Sequence, residues 1–156
     1  MEENVPRISW KTYALKLATV ASERSEDPFM KVGACTLRFD NSVAGLGYNG
    51  APPGININWT NRDQRRNKVI HAEVNALRYV RPDECYFLAC THLPCNDCLK
   101  LISSYGIKEI YFNEVYQRDM SSLDLAPEFD IKLLCTENVT KSLDLVYKDK
   151  ISIYVP

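Results

Sequence analysis

Two short segments, His71-Ala72-Glu73 and Pro94-Cys95-Asn96-Asp97-Cys98, constrain the fold of this chain more than any other residues. One imidazole and two thiolates are donor types of a tetrahedral zinc, and they fill three of its four positions. An ion gripped by all three holds residue 71 beside residues 95 and 98, whatever the chain does in between. The fourth position is left to water, as in a catalytic zinc and unlike a closed structural one. Glu73, just beyond the histidine, then has its carboxylate beside the metal, where it can move protons. A Cys-x-x-Cys pair alone would say far less, because structural zinc and redox pairs use it too.

Periodicity suggests what surrounds these segments. From Ile8 to Glu23, the apolar residues Ile8, Tyr13, Leu15, Leu17, Ala18 and Val20 fit an amphipathic helix. Val32 to Leu37 and Val43 to Tyr48 read as strands joined by the turn formers Asp40-Asn41-Ser42. Gly50-Ala51-Pro52-Pro53-Gly54 interrupts regular structure, and the polar stretch from there to Lys68 reads as a long loop. His71 to Tyr79 is expected to be helical, with Val74, Leu77 and Val80 at helical offsets. Tyr86 to Thr91, Lys108 to Phe112 and Ile131 to Cys135 read as strands, and Asn96 to Tyr105 and Ser122 to Phe129 as helices. Ile151 to Val155 suits either an edge strand or a subunit-contact tail. Strands alternating with helices argue a layered α/β domain. With no repeat, low-complexity tract or linker, residues 1–156 are expected to form one domain with one good core.

Composition narrows the setting. Charged residues make up 25% and apolar ones 46%, an ordinary globular balance. A formal net charge of −1 supplies no global basic surface, so nucleic acid is not an expected partner. No apolar run is long enough for a bilayer and no signal pattern opens the chain, so no membrane partner is expected. The acidic, polar start Met1-Glu2-Glu3-Asn4 suggests the cytoplasm. Cys95 and Cys98 are assigned to the metal. Cys35, Cys85, Cys90 and Cys135 lie in or beside strand-like apolar runs and are expected to be reduced, buried small hydrophobes.

Both motif halves are expected to open helices. A first turn leaves backbone N–H groups without intrahelical acceptors and carries partial positive charge, which favours thiolates there. Cys95 and Cys98, three apart, share a helix face, and Pro94 suits a helix start because its missing N–H is not needed. Zinc would lower the pKa of its water from about 16 towards ~7, and Glu73 is the expected carrier of the released proton. His92, at the end of a strand, is expected to have a structural or pocket-wall role, since a fourth protein ligand would close the site. The basic stretch from Trp59 to Lys68 suits a triphosphate contact, a lid or a solvated loop anchored by Trp59, and the last is preferred.

The order His-x-Glu…Pro-Cys-x-x-Cys is the signature of zinc-dependent nucleobase deaminases. From Trp10 to Asp119 the chain resembles deoxycytidylate (dCMP) deaminases of the cytidine/deoxycytidylate deaminase superfamily. The further matching stretches are Ser25-Glu26-Asp27-Pro28, Lys31-Val32-Gly33-Ala34-Cys35, Gly47-Tyr48-Asn49-Gly50, His71-Ala72-Glu73-Val74-Asn75-Ala76-Leu77 and Gly106-Ile107-Lys108. Gly-Tyr-Asn-Gly and His-Ala-Glu-x-Asn-Ala are the stretches that point to the nucleotide branch.

The resemblance implies a three-layer αβα fold with a central mixed five-stranded sheet and helices on both faces. It also implies zinc-dependent hydrolytic deamination of dCMP to dUMP and ammonia, supplying dUMP for dTTP synthesis. Carried over by position, Asn49 would bond the sugar 3′-hydroxyl and the backbone at Ala72 the pyrimidine O2. Tyr116 and Arg118, in Tyr116-Gln117-Arg118-Asp119, would approach the 5′-phosphate. Arg24 is a second phosphate candidate, because a guanidinium offers paired donors in a planar fork; the plain reading of either arginine is a solvated surface charge. The family also implies dCTP and dTTP as effectors near Gly-Tyr-Asn-Gly, and a homo-oligomer, a hexamer in many members.

The chain departs from the family pattern in three ways. Pro53 stands where an asparagine is common, the segment from there to His71 is shorter than in animal relatives, and no ligand set for a second zinc is present. The runner-up activity is deamination of dCTP, alone or alongside dCMP. A tRNA adenosine deaminase would want an extended basic face. Free cytidine deaminases usually carry cysteine in place of His71. A non-catalytic zinc module is at odds with Glu73 beside an open metal position.

Overall fold

Alternation along the central strands sets the layering, because successive side chains in a strand point to opposite faces. The computed structural model describes residues 6–115, 120–141 and 149–156. Ala34, Leu88, Cys90, Ile110, Phe112 and Leu133 enter a larger core on one face of the sheet, whereas Cys35, Leu37, Phe87, Ala89, Tyr111 and Leu134 enter a smaller core on the other. The strands are β1 (Gly33–Arg38), β2 (Val43–Tyr48), β3 (Cys85–His92), β4 (Glu109–Glu114), β5 (Lys132–Cys135) and β6 (Ser152–Ile153). Their order is β2-β1-β3-β4-β5-β6. The pairs β1–β2 and β1–β3 are antiparallel and the other three are parallel, so the sheet is mixed as expected.

Among the described residues the sheet has six strands, not the five expected. Ser152 and Ile153 pair with Leu134 and Cys135, so the Ile151–Val155 stretch supplies an edge strand. A two-residue ladder with both side chains exposed carries no alternation to read. Its anchor is tertiary: Tyr154 packs edge-on against Tyr111 with ring centroids 5.1 Å apart.

Helix α1 (Trp10–Ser22) covers the smaller core, and the Oγ of Ser9 caps it by accepting from the Thr12 amide at 3.2 Å. It buries Ala14, Leu15 and Ala18, while Ile8, Tyr13 and Val20 stay exposed. Small residues suit this close approach. On the other face lie α3 (Ala72–Leu77), α4 (Asn96–Ser104) and α5 (Ser122–Glu128), whose Ala72, Ala76, Leu99, Ile102 and Leu123 enter the larger core. The expected loop from residue 50 to residue 68 instead contains a helix, α2 (Arg62–Lys68), capped by the Asn61 side-chain Oδ1 accepting from the Gln64 amide at 3.0 Å. It buries none of its residues, so no apolar period marks it. A one-turn helix, α6 (Glu137–Thr140), was likewise not expected.

All six cysteines are free, and Cys35, Cys85, Cys90 and Cys135 are buried, as expected. Burial pushes the Cys35 thiol up to about 12 and the Cys135 thiol to about 11. Among the described residues, no helix is long and apolar enough to cross a membrane.

Candidate active site

Two helix starts meet at one point on the larger-core side. His71 is the N-cap of α3 and Cys95 the N-cap of α4, both with extended backbones, and Cys98 lies in the first turn of α4. His71 Nδ1 is 3.3 Å from Cys98 Sγ and 3.5 Å from Cys95 Sγ. All three donor atoms lie within 4.8 Å of one another. Tetrahedral zinc with bonds of about 2.3 Å to sulfur and 2.0–2.1 Å to nitrogen spaces its donors roughly 3.3–3.8 Å apart, so the two nitrogen–sulfur separations fit that ion.

The protonation of the trio has the same sense. Cys95 is lowered to about 4, chiefly by the hydrogen bond from Cys98, with His71 adding to it and burial opposing. Cys98 is raised by that same contact, by burial and by the nearby Glu73. His71 is raised chiefly by its bond to Cys95, against the effect of burial.

Glu73, the second residue of α3, is only 3% exposed. Its Oε1 accepts a hydrogen bond from Cys90 Sγ at 3.1 Å. Close packing of α3 on β2 fixes its position. A Cβ on Gly47 would lie 2.4 Å from the Ala72 carbonyl oxygen, and Asn75 Nδ2 donates to the Tyr48 carbonyl at 2.8 Å. His71, Ala72, Glu73 and Cys95 all line a cavity of about 640 Å³. Ala72 opens α3, so its amide has no acceptor within the helix.

Asn49 lines the same cavity, but its side chain also organises the adjoining loop. Its Oδ1 accepts from the Val32 amide at 2.8 Å, and its Nδ2 donates to the Met30 carbonyl at 2.9 Å and to Asp27 at 3.4 Å. One lone pair of Oδ1 is left for a ligand. His92 stands in the cavity wall and is not a ligand of the trio; its Nε2 is 2.8 Å from Glu114 Oε2 and its Nδ1 2.8 Å from the Thr91 hydroxyl. Arg24 is exposed above the Tyr48 ring and is not among the residues lining this cavity. Tyr116 and Arg118 lie outside the described residues.

The preferred reading of Trp59 to Lys68 as a solvated loop gives way to the alternative in which this stretch borders the pocket. Arg65 and Arg66 of α2 both line it. The Arg65 guanidinium lies 4.4 Å over the Phe29 ring and donates to the Trp59 carbonyl. The basic run Arg62 to Lys68 was the available signal, and it reads equally well as solvent-exposed charge. Cys90 was missed as a partner of Glu73, because in sequence it looks like any core thiol.

The family model for the cytidine and deoxycytidylate deaminase zinc-binding region matches residues 8–114. The chain belongs to the cytidine and deoxycytidylate deaminase family. The deoxycytidylate deaminase of Mycobacterium phage D29 is 32% identical over 123 residues, covering 68% of this chain and 95% of the phage protein. The human deoxycytidylate deaminase is 34% identical over 116 residues. That match takes in 67% of this chain, which spans only 65% of the human and mouse proteins. The crystal structure of the dCMP deaminase from cyanophage S-TIM5, in complex with dCMP and dUMP, superposes with a TM-score of 0.71 at 30% identity, covering 81% of this chain and 96% of that one. This family's α/β fold and its zinc-binding region are therefore those of the present chain.

Proposed function

We propose that this protein is a zinc-dependent dCMP deaminase, converting dCMP and water to dUMP and ammonia and so supplying dUMP for dTTP synthesis. The observation that carries the reading is a zinc-spaced His71–Cys95–Cys98 trio whose His71 and Cys95 line one cavity with the buried Glu73 carboxylate. Support for a nucleotide substrate comes from Arg65 and Arg66 in the wall of that cavity, and from the S-TIM5 relative crystallised with dCMP and dUMP.

His71, Cys95 and Cys98 would hold the zinc, which supplies Lewis acidity and brings a water ligand's pKa down to about 7. Glu73 takes the proton released as the water oxygen adds to C4, and delivers it to ring N3. The same carboxylate then moves the remaining proton of the new C4 hydroxyl to the exocyclic amine, which leaves as ammonia. Glu73 thus ends each cycle ionised, as it began. The Ala72 amide and Asn49 Oδ1 orient base and sugar, while Arg65 and Arg66 take the 5′-phosphate. Burial of Glu73 keeps its protons from bulk water.

The family resemblance extends the proposal to a homo-oligomer, with dCTP and dTTP as effectors. An oligomer is supported by β2 standing at the sheet edge, with Leu46 48% exposed on it and Tyr79 84% exposed nearby. The deciding experiment is ammonia release by zinc-loaded protein from dCMP, CMP, dCTP, deoxycytidine and a tRNA anticodon arm. dCMP is expected to give the highest kcat/KM. Turnover of deoxycytidine alone would overturn the nucleotide assignment, and a preference for dCTP would transfer it to the triphosphate.

A further inference from the structure

Cys90 is not one of the three metal donors, yet its thiol touches the Glu73 carboxylate, Sγ to Oε1 at 3.1 Å. It projects from β3 between Ala34 of β1 and Phe112 of β4, its register partners, and is fully buried. The backbone N–H of His92 donates to its sulfur, which leaves the S–H for the carboxylate. The other side-chain donor to Glu73 is Cys98. Zinc takes that sulfur as a thiolate, without its proton. With the ion in place, Cys90 is therefore the side-chain donor left to Glu73 among the described residues.

We propose that Cys90 is a positioning residue for the reaction. It holds one oxygen of Glu73 so that the other faces the proton traffic between water, ring N3 and the leaving amine. This inference rests on Glu73 being the proton carrier. A buried carboxylate without a fixed donor would adopt whichever rotamer best solvates it. A thiol is suited to this task because it is a weak donor: it sets the orientation without competing strongly with the substrate for the carboxylate. Both groups come from rigid elements, the central strand β3 and the first turn of α3, so the contact is fixed before substrate arrives.

The test uses zinc-loaded Cys90→Val, Cys90→Ala and Cys90→Ser, with zinc content and thermal midpoint measured on each. With Val or Ala, kcat for dCMP is expected to fall about tenfold, the size of one hydrogen bond, while KM and zinc content hold steady. Serine restores a donor and is expected to recover most of the loss. As a readout independent of turnover, the Glu73 carboxyl carbon resonance, assigned by its disappearance in Glu73→Gln, should move in the Val and Ala variants and return with Ser. An unchanged kcat and resonance in the Val and Ala variants would overturn the proposal. So would a fall in kcat that tracks lost zinc and is not rescued by Ser. The Glu73→Gln variant separates the two levels: full turnover there removes the proton carrier itself, whereas lost turnover there beside unchanged turnover in Cys90→Val overturns only the role of Cys90.

Discussion

Replacing Arg65 tests the substrate assignment most sharply, because it should distinguish a nucleotide from its nucleoside. The guanidinium is half-buried, stacked on Phe29 and bonded to the Trp59 carbonyl, so little ordering remains to be done when a phosphate arrives. A hydrogen bond to a charged group contributes about 1.5–3 kcal/mol, which corresponds to roughly a 10- to 150-fold change in kcat/KM. Arg65→Ala is therefore expected to lower kcat/KM for dCMP within that range. Deoxycytidine has no phosphate to lose, so its kcat/KM should stay within about twofold. Arg66 is exposed and better screened, and its Ala variant is expected to cost at most about 1 kcal/mol, or roughly fivefold. Arg65→Lys keeps the charge but not the planar fork and should fall between wild type and Ala. The assay is steady-state ammonia release on both substrates at two ionic strengths, with the gap narrowing at higher salt. Equal losses on dCMP and deoxycytidine would refute the reasoning, because they would show that α2 merely props up the cavity.

Glu73→Gln keeps the size of the side chain but cannot carry protons. It should cut kcat by at least about 10²- to 10⁴-fold with zinc content unchanged; metal analysis alongside turnover checks both halves. Zinc affinity should rise with pH, because the raised Cys98 thiol keeps a proton that the metal must displace, whereas Cys95, lowered to about 4, is already a thiolate. Near neutrality this means about tenfold per pH unit, steeper on the acid side where the raised His71 must also lose a proton. Chelator competition from about pH 6 to 8 measures the slope, and a flat profile would contradict it. Gly47→Ala puts a Cβ 2.4 Å from the Ala72 carbonyl oxygen, so α3 must shift. A stability loss of about 1–3 kcal/mol is expected by thermal unfolding, together with reduced turnover because Glu73 moves with the helix.

The candidate metal trio was legible in the sequence because its chemistry is local. Cys95 and Cys98 share one helical turn, Pro94 precedes the cap, and the imidazole and thiolate types select the ion before any fold is known. Strands β1, β3 and β4 were legible because each faces two cores and alternates accordingly. Helix α2 was not, since every one of its side chains is at least partly solvated and nothing in its pattern departs from a polar loop. β6 was left open for a related reason: two paired residues cannot show a period.

Read alone, the residues supply the identity of the candidate reactive groups: one imidazole, two sulfurs and a carboxylate, in an order and spacing that a single zinc can use. What those groups face depends on the folded arrangement of elements far apart in the chain. It brought Arg65 and Arg66 onto the cavity wall, left Arg24 above Tyr48 away from that wall, and set Cys90 of β3 against Glu73 of α3. These are meetings between separate elements, settled by how helices pack on a sheet. Local periodicity records which way a side chain points, but not what it will meet there.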